Sequence, residues 1–400
     1  MSLNSTPSSE RIHIGFFGCR NAGKSSLVNA VTGQDLAVVS EVKGTTTDPV
    51  IKAMEILPLG PVVIIDTPGF DDEGMLGELR VAKTKQILNK TDIAVLVTQG
   101  SEQTREMDDL LVGLFQQKNI PYLIACTKSD LLDDVPQETE KTIWVSAENK
   151  TNIHALKEKL GKLAPKDHGR RICADLLEQG DTVVLVCPID ESAPKGRMIL
   201  PQQQTIRDVL DADSICLVTK ETELEQTLKA LKQPPKLVIT DSQALGFIKD
   251  IVPADVCMTT FSILMARYKG FLETAVEGIS HAKDLKDGDV ILMAEGCTHH
   301  RQCNDIGTVK IPNQLRRFTG KELVFETCSG RDFPEDLSRY AMVIHCGACM
   351  LSERDVLFRM KSSVDQQIPF TNYGIALAHL TGTLCRTLQC FPQLQNLLQD

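Results

Sequence analysis

Ile12 to Phe17 (IHIGFF) is a short apolar run, and Gly18-Cys-Arg-Asn-Ala-Gly23-Lys24-Ser25 follows it directly. No other feature of the chain restricts its fold so much. The octet fits G-x-x-x-x-G-K-[ST], a loop whose glycines let the backbone curl until its N–H groups face phosphate oxygens. The lysine brings charge to the β/γ-phosphates, and the serine brings a hydroxyl to Mg²⁺. The loop needs a buried strand before it and a helix after it, and Lys24 to Thr32 has a helical pattern. Gly18, Asn21, Ala22, Gly23, Lys24, Ser25 and Ser26 are therefore expected to bind a nucleotide, with Lys24 also catalytic.

Further segments, in order, narrow the nucleotide. Gly44-Thr-Thr46-Thr-Asp48 lies where a first switch segment would bring Thr46 to Mg²⁺. Asp66-Thr-Pro-Gly69 follows an apolar run, as a Mg²⁺-linked Asp and a γ-phosphate-sensing Gly do. Thr127-Lys128-Ser-Asp130 follows Tyr122 to Cys126, where a guanine-reading N-K-x-D belongs. Asp130 can pair with the guanine N1 and N2 donors. Thr127 in place of Asn is expected to keep GTP preference with weaker affinity. Ser146-Ala147 follows Ile143 to Val145, as in the last base-contacting loop. The set resembles the Era-like translation-factor class of GTPases over residues 11–165, which implies GTP and GDP as ligands and Lys24, Thr46, Asp66 and Gly69 as the hydrolytic set.

Two details sharpen this. Phe70 stands after Asp-x-x-Gly, where small signalling GTPases carry a water-orienting Gln, and a phenyl ring cannot orient water by hydrogen bonding. Asn21 stands where potassium-activated GTPases carry a ligand for K⁺, which could neutralise developing charge in place of an arginine finger. Potassium-stimulated hydrolysis is expected. The segment from Phe70 to Met75 is the expected mobile switch.

The rest of the chain divides by rhythm. Strand-like runs alternate with helical patterns to about Lys166, again from Thr182 to Met258, and again from Phe261 to the end. The expected fold is α/β, with three domains, each a mostly parallel sheet with flanking helices. The boundaries read as a disordered leader at 1–10, the P-loop domain at 11–168, a small α/β domain at 178–260 and a last α/β domain at 261–400. With 43 Lys+Arg against 53 Asp+Glu the net charge is −10, which does not favour nucleic acid as a partner. No apolar run approaches the ~20 residues of a membrane span. The polar start has no signal-peptide core, so a cytoplasmic location is expected.

Thirteen cysteines without an export signal point to metal or redox chemistry rather than disulfides. Cys297-Thr-His299-His300 and His345-Cys346-Gly-Ala-Cys349 each follow a strand-like run, so both fall where open α/β sheets build crevices. Cys346 and Cys349 can point both sulfurs at one ion, and Cys297 could meet them. Three thiolates suit a [4Fe–4S] cluster with one open corner, for which His299, His345, Glu295, Glu326 or a small molecule are non-Cys candidates and Cys303 a weaker, thiolate one. Zinc suits the same donors, and a thiol redox pair is a third reading. Cys126, Cys187, Cys216 and Cys257 read as core residues of apolar strands.

A GTPase ahead of a Cys-x-His … His-Cys-x-x-Cys domain, with a small α/β domain between and Pro369-Phe-Thr-Asn-Tyr-Gly374 near the end, resembles the [FeFe]-hydrogenase maturation GTPases. The resemblance implies a homodimeric scaffold. Its middle domain would form the dimer, and Cys297, Cys346 and Cys349 would hold the [4Fe–4S] cluster. A di-iron subcluster would arrive from two radical-SAM partners and pass to apo-[FeFe]-hydrogenase, with the GTPase timing the exchange. A tRNA-modifying GTPase shares the Asn21-type loop and the Gly-Thr-Thr segment, and a GTP-regulated zinc protein is the other alternative.

Overall fold

The structure is a computed structural model that describes residues 6–33, 50–69, 84, 86–99, 105–132, 134–164, 170–189, 198–296, 305–330 and 332–398. Thr46, Phe70, Cys297, His299, His300 and Cys303 lie outside the described residues. The chain forms two compact units, residues 1–168 and 169–400.

The first unit is built on strands β1 (Ile12–Phe17), β2 (Val50–Ile56), β3 (Gly60–Asp66), β4 (Ile93–Thr98), β5 (Tyr122–Cys126) and β6 (Thr142–Trp144). They form one sheet in the order β2-β3-β1-β4-β5-β6. Among the described strands of this sheet only the β2–β3 hairpin is antiparallel. Parallel strands need helices on both faces, so central strands are apolar throughout rather than alternating. β4 (IAVLVT) is buried at every position. Alternate side chains feed two cores. Ile14, Ile64 and Val95 pack with Leu27 and Val31 of helix α1 (Lys24–Thr32) and Leu156 of a C-terminal helix. Phe17, Val63 and Leu96 pack with Leu111 and Phe115 of α2 (Arg105–Gln117) on the other face. The C-terminal helix of this unit is α3 (Ile153–Leu163). Ser8–Glu10, within the stretch read as a disordered leader, form a 3-10 turn.

The second unit holds two four-stranded sheets. The first, ordered β10-β9-β7-β8, uses β7 (Thr182–Val186), β8 (Ile215–Thr219), β9 (Leu237–Thr240) and β10 (Cys257–Thr260), all parallel. The second, ordered β12-β11-β13-β14, uses β11 (Val290–Glu295), β12 (Val324–Ser329), β13 (Met342–His345) and β14 (Phe370–Asn372), also parallel. Helices α4 (Leu200–Asp211), α5 (Leu224–Ala230), α6 (Phe261–Tyr268), α7 (Leu272–Ser280), α8 (Ile311–Thr319), α9 (Glu353–Asp365) and α10 (Tyr373–Leu380) cover them. One hydrophobic cluster runs through both sheets, from Ile172 to Leu394. α6 explains the continuity: Phe261, Ile263, Leu264, Met265 and Ala266 are all buried, so the helix is apolar nearly all round. It starts directly after β10, with Thr260 Oγ1 accepting from the Ile263 N–H as its cap.

Between β9 and β10 the chain makes a single helical turn, Leu245–Ile248, which buries Leu245 and Ile248. β14 has three residues, too few to show a period.

Candidate functional site

The nucleotide loop emerges from the buried end of β1 in the middle of the sheet. Gly18 has φ +146°, and a Cβ there would lie 2.1 Å from the Val97 carbonyl, so only glycine lets the loop pass β4 so closely. Gly69 abuts the same loop from β3, since a Cβ on it would lie 2.7 Å from Arg20 Cα. The Lys24 ammonium is buried under the loop and donates to the carbonyls of Gly18 (2.9 Å) and Cys19 (2.7 Å). Asp66 is buried at the end of β3 and accepts from Ser25 Oγ at 2.9 Å. Its other oxygen, Oδ1, is buried without a hydrogen-bond partner among the described residues. Burial pushes the Asp66 pKa up, against the Ser25 hydrogen bond and the Lys24 charge. A hydroxyl, an orphaned carboxylate oxygen and an ammonium in one place fit a hydrated divalent cation beside phosphates. Ser25 and Asp66 would hold Mg²⁺, with Lys24 serving the phosphates.

Behind the loop lies a cleft of about 660 Å³. Gly23, Ser26, Thr127, Lys128, Asp130 and Ala147 all line it, so three sequence-distant motifs meet at one pocket. Ser146 is fully buried, and its Oγ accepts from the Asn149 N–H at 3.2 Å, shaping the last loop. Thr127 spans from this cleft to the phosphate loop. Its buried hydroxyl donates to the Ala22 carbonyl at 2.7 Å, so the shorter side chain still ties the two loops together. Asn29, Glu148 and Lys150 also line the cleft and were missed. Glu148 and Lys150 directly follow Ser146-Ala147, which was the available signal. Asn21 has φ +60°, and its carbonyl accepts from Gln99 Nε2 at 2.7 Å.

The second candidate site is the turn after β13. Cys346 Sγ accepts from the N–H groups of Gly296 (3.1 Å) and Ala348 (3.4 Å). Gly296 follows β11, so the sheet brings Gly296 and the Cys346 turn to adjacent strand ends, while Cys297 lies outside the described residues. Burial pushes the Cys349 thiol up, while the Lys269 charge pulls it down. Sulfur accepting two main-chain N–H groups is the environment that suits a thiolate ligand. Among the described residues no three His, Cys, Asp or Glu side chains converge on one point.

His345 is corrected as a ligand candidate. It is fully buried with Nδ1 2.8 Å from the Cys346 carbonyl and Nε2 3.2 Å from Arg359 Nη1. A guanidinium only donates, so Nε2 must accept and Nδ1 must carry the proton. Neither nitrogen is then left for an ion. Burial, then the Arg359 charge, lowers the His345 pKa to about 3. Arg359 is itself bound to Asp355 Oδ1 (3.2 Å) and the Gly330 carbonyl (2.6 Å). Glu326 is also engaged, with Arg339 and with the Tyr340 hydroxyl at 2.9 Å. Glu295 is buried at the end of β11 and accepts from the Tyr373 hydroxyl at 3.5 Å.

No helix among the described residues is long and apolar enough to cross a membrane. The chain is 33% identical over 184 residues to GTPase Der of Wolinella succinogenes, covering 42% of this chain and 39% of that protein. It is 30% identical over 156 residues to the tRNA modification GTPase MnmE of Bordetella petrii, covering 39% of this chain and 34% of that protein. These matches thus span well under half of either relative. A crystal structure of an Aquifex aeolicus Era variant bound to GDP.AlF4- is 17% identical, with a TM-score of 0.34, covering 52% of this chain and 93% of that one. Residues 13–128 match the 50S ribosome-binding GTPase family. Residues 172–270 match the hydrogen maturase F dimerization domain, and residues 273–390 its tetramerization domain. Together these last two occupy nearly all of the unit that bears Cys346 and Cys349, and the chain belongs to the hydrogen maturase F family.

Proposed function

We propose that this chain is a GTP-hydrolysing scaffold of [FeFe]-hydrogenase maturation. It holds a [4Fe–4S] cluster through Cys297, Cys346 and Cys349 and carries a di-iron subcluster from radical-SAM maturases to apo-hydrogenase. The observation that carries the reading is the pairing of a guanine-nucleotide cleft with a thiol-bearing turn in the hydrogen maturase F part of the same chain. Lys24, Ser25 and Asp66 orient the phosphates, with Thr46 completing the Mg²⁺ site and Gly69 sensing the γ-phosphate; Asp130, Thr127, Lys128 and the Ser146-Ala147 loop select guanine. Asn21 is a ligand for K⁺, and equal turnover in KCl and NaCl would remove it from that role.

Self-association supports the scaffold reading. β8 is a sheet edge, and its Ile215 and Val218 are 53% and 49% exposed. An open apolar edge pairs readily with another strand. In a homodimer built on that edge, Ile215→Lys gives monomers by light scattering; an unchanged mass moves the interface elsewhere.

The test is anaerobic reconstitution of the full chain with iron and sulfide. The expected product is brown and gives an EPR signal when reduced. Cys346→Ala or Cys349→Ala loses that signal and still hydrolyses GTP, because the nucleotide site has its own core. Stoichiometric zinc with no EPR signal refutes the reading.

A further inference from the structure

Lys269, the residue that follows α6 as its C-cap, buries its ammonium in the thiol turn. It is 5% exposed and donates to the Ala348 and Leu351 carbonyls, the latter at 2.9 Å. Ala348 is the central residue of the turn. It has φ +54°, a left-handed conformation that disfavours any residue with a Cβ. Its N–H faces Cys346 Sγ while its carbonyl faces Lys269. The Leu351 N–H closes the turn on the same carbonyl at 3.1 Å. Lys269 therefore fixes the peptides on which both cysteines depend for direction.

It also brings a full charge into a dry place. Burying an ammonium costs free energy that a methionine of similar length avoids. Fold stability alone does not call for a lysine here. The Lys269 ammonium lies in the turn itself, and its charge pulls the Cys349 thiol down against the effect of burial. In a low dielectric a positive charge favours the more negative of two redox states.

We infer that Lys269 is the positioning and charge-setting residue of the thiol turn: it holds Cys346-Gly-Ala-Cys349 in ligating shape and raises the reduction potential of the cluster carried there. This rests on the cluster reading above. The experiment uses the full chain, reconstituted anaerobically with iron and sulfide, as wild type, Lys269→Met and Lys269→Arg. Iron per chain and the midpoint potential, from EPR-monitored titration, are measured. A lower potential or lower loading in Lys269→Met, with Lys269→Arg close to wild type, supports the inference. Full loading of Lys269→Met at the wild-type potential overturns it, as does a Lys269→Arg protein that shifts as far as Lys269→Met. Wild-type protein that takes up no cluster overturns the cluster reading itself, and the Lys269 role falls with it. If Lys269→Met does not fold by circular dichroism, Lys269→Gln, which keeps a donor without the charge, is titrated instead, and an unchanged potential there overturns the charge-setting role.

Discussion

Replacing Arg359 with methionine tests whether the thiol turn stands on a buried ionic network. Arg359 is 2% exposed and Asp355 4%, so neither charge is relieved by water. Methionine has similar length and fills the space beside Phe333, over whose ring the guanidinium lies at 5.3 Å. It removes the cation but opens little cavity. Three contacts go: Asp355 Oδ1 at 3.2 Å, His345 Nε2 at 3.2 Å and the Gly330 carbonyl at 2.6 Å. Breaking a buried ion pair from one side costs about 3–5 kcal/mol, since the remaining charge loses its partner. For a unit of this size that lowers the melting temperature by roughly 6–20 °C, at about 2–4 °C per kcal/mol. Removing both charges is far cheaper, so Arg359→Met/Asp355→Leu is expected to recover about half or more of the loss. Scanning calorimetry of the full chain gives the numbers. Added GDP raises the transition of the nucleotide-binding unit and so identifies the other one. A single mutant that costs less than about 1 kcal/mol, or a double mutant no more stable than the single, refutes the network.

Two further outcomes follow from the geometry. The folded pKa of His345, about 3, lies below its ordinary 6.5, so between those values the unfolded chain binds the extra proton. Stability of the second unit is then complete above the unfolded pKa and falls by about 1.4 kcal/mol per pH unit as pH drops through the window, a slope that His345→Gln flattens in urea titrations at stepped pH. Thr127→Val keeps shape but leaves the buried Ala22 carbonyl without its 2.7 Å donor. The unmade bond costs about 1–3 kcal/mol, felt as roughly 5- to 150-fold weaker GDP binding by fluorescence titration, and unchanged affinity removes Thr127 as the tie between the loops.

Much of the first unit is local information. A glycine that must pass a strand backbone, a lysine and serine at fixed offsets, and apolar runs bounded by turns each act within a few residues. Accordingly β1 and α1 have the bounds their sequence suggests, and the strand-end motifs line one cleft. α8 carries a local signal as well: Ile311 and Leu315 are four apart, with Pro312 in the first turn. The cysteine pair was equally visible as spacing.

Other roles came from partners distant in sequence. The motif offers His345 as a ligand, yet it became a core hydrogen-bonding residue because α9 sets Arg359 against it and β12 leads to the Gly330 carbonyl. Lys269 reads as an ordinary helix-ending lysine, and only the packing of α6 brings it to a turn 79 residues later. Sequence by itself determined which groups could do chemistry, because residue type and short spacing carry donors, charge and backbone freedom. Tertiary structure decided which of them are available, because burial and hydrogen-bond partners are set by strands and helices that meet only in the folded chain.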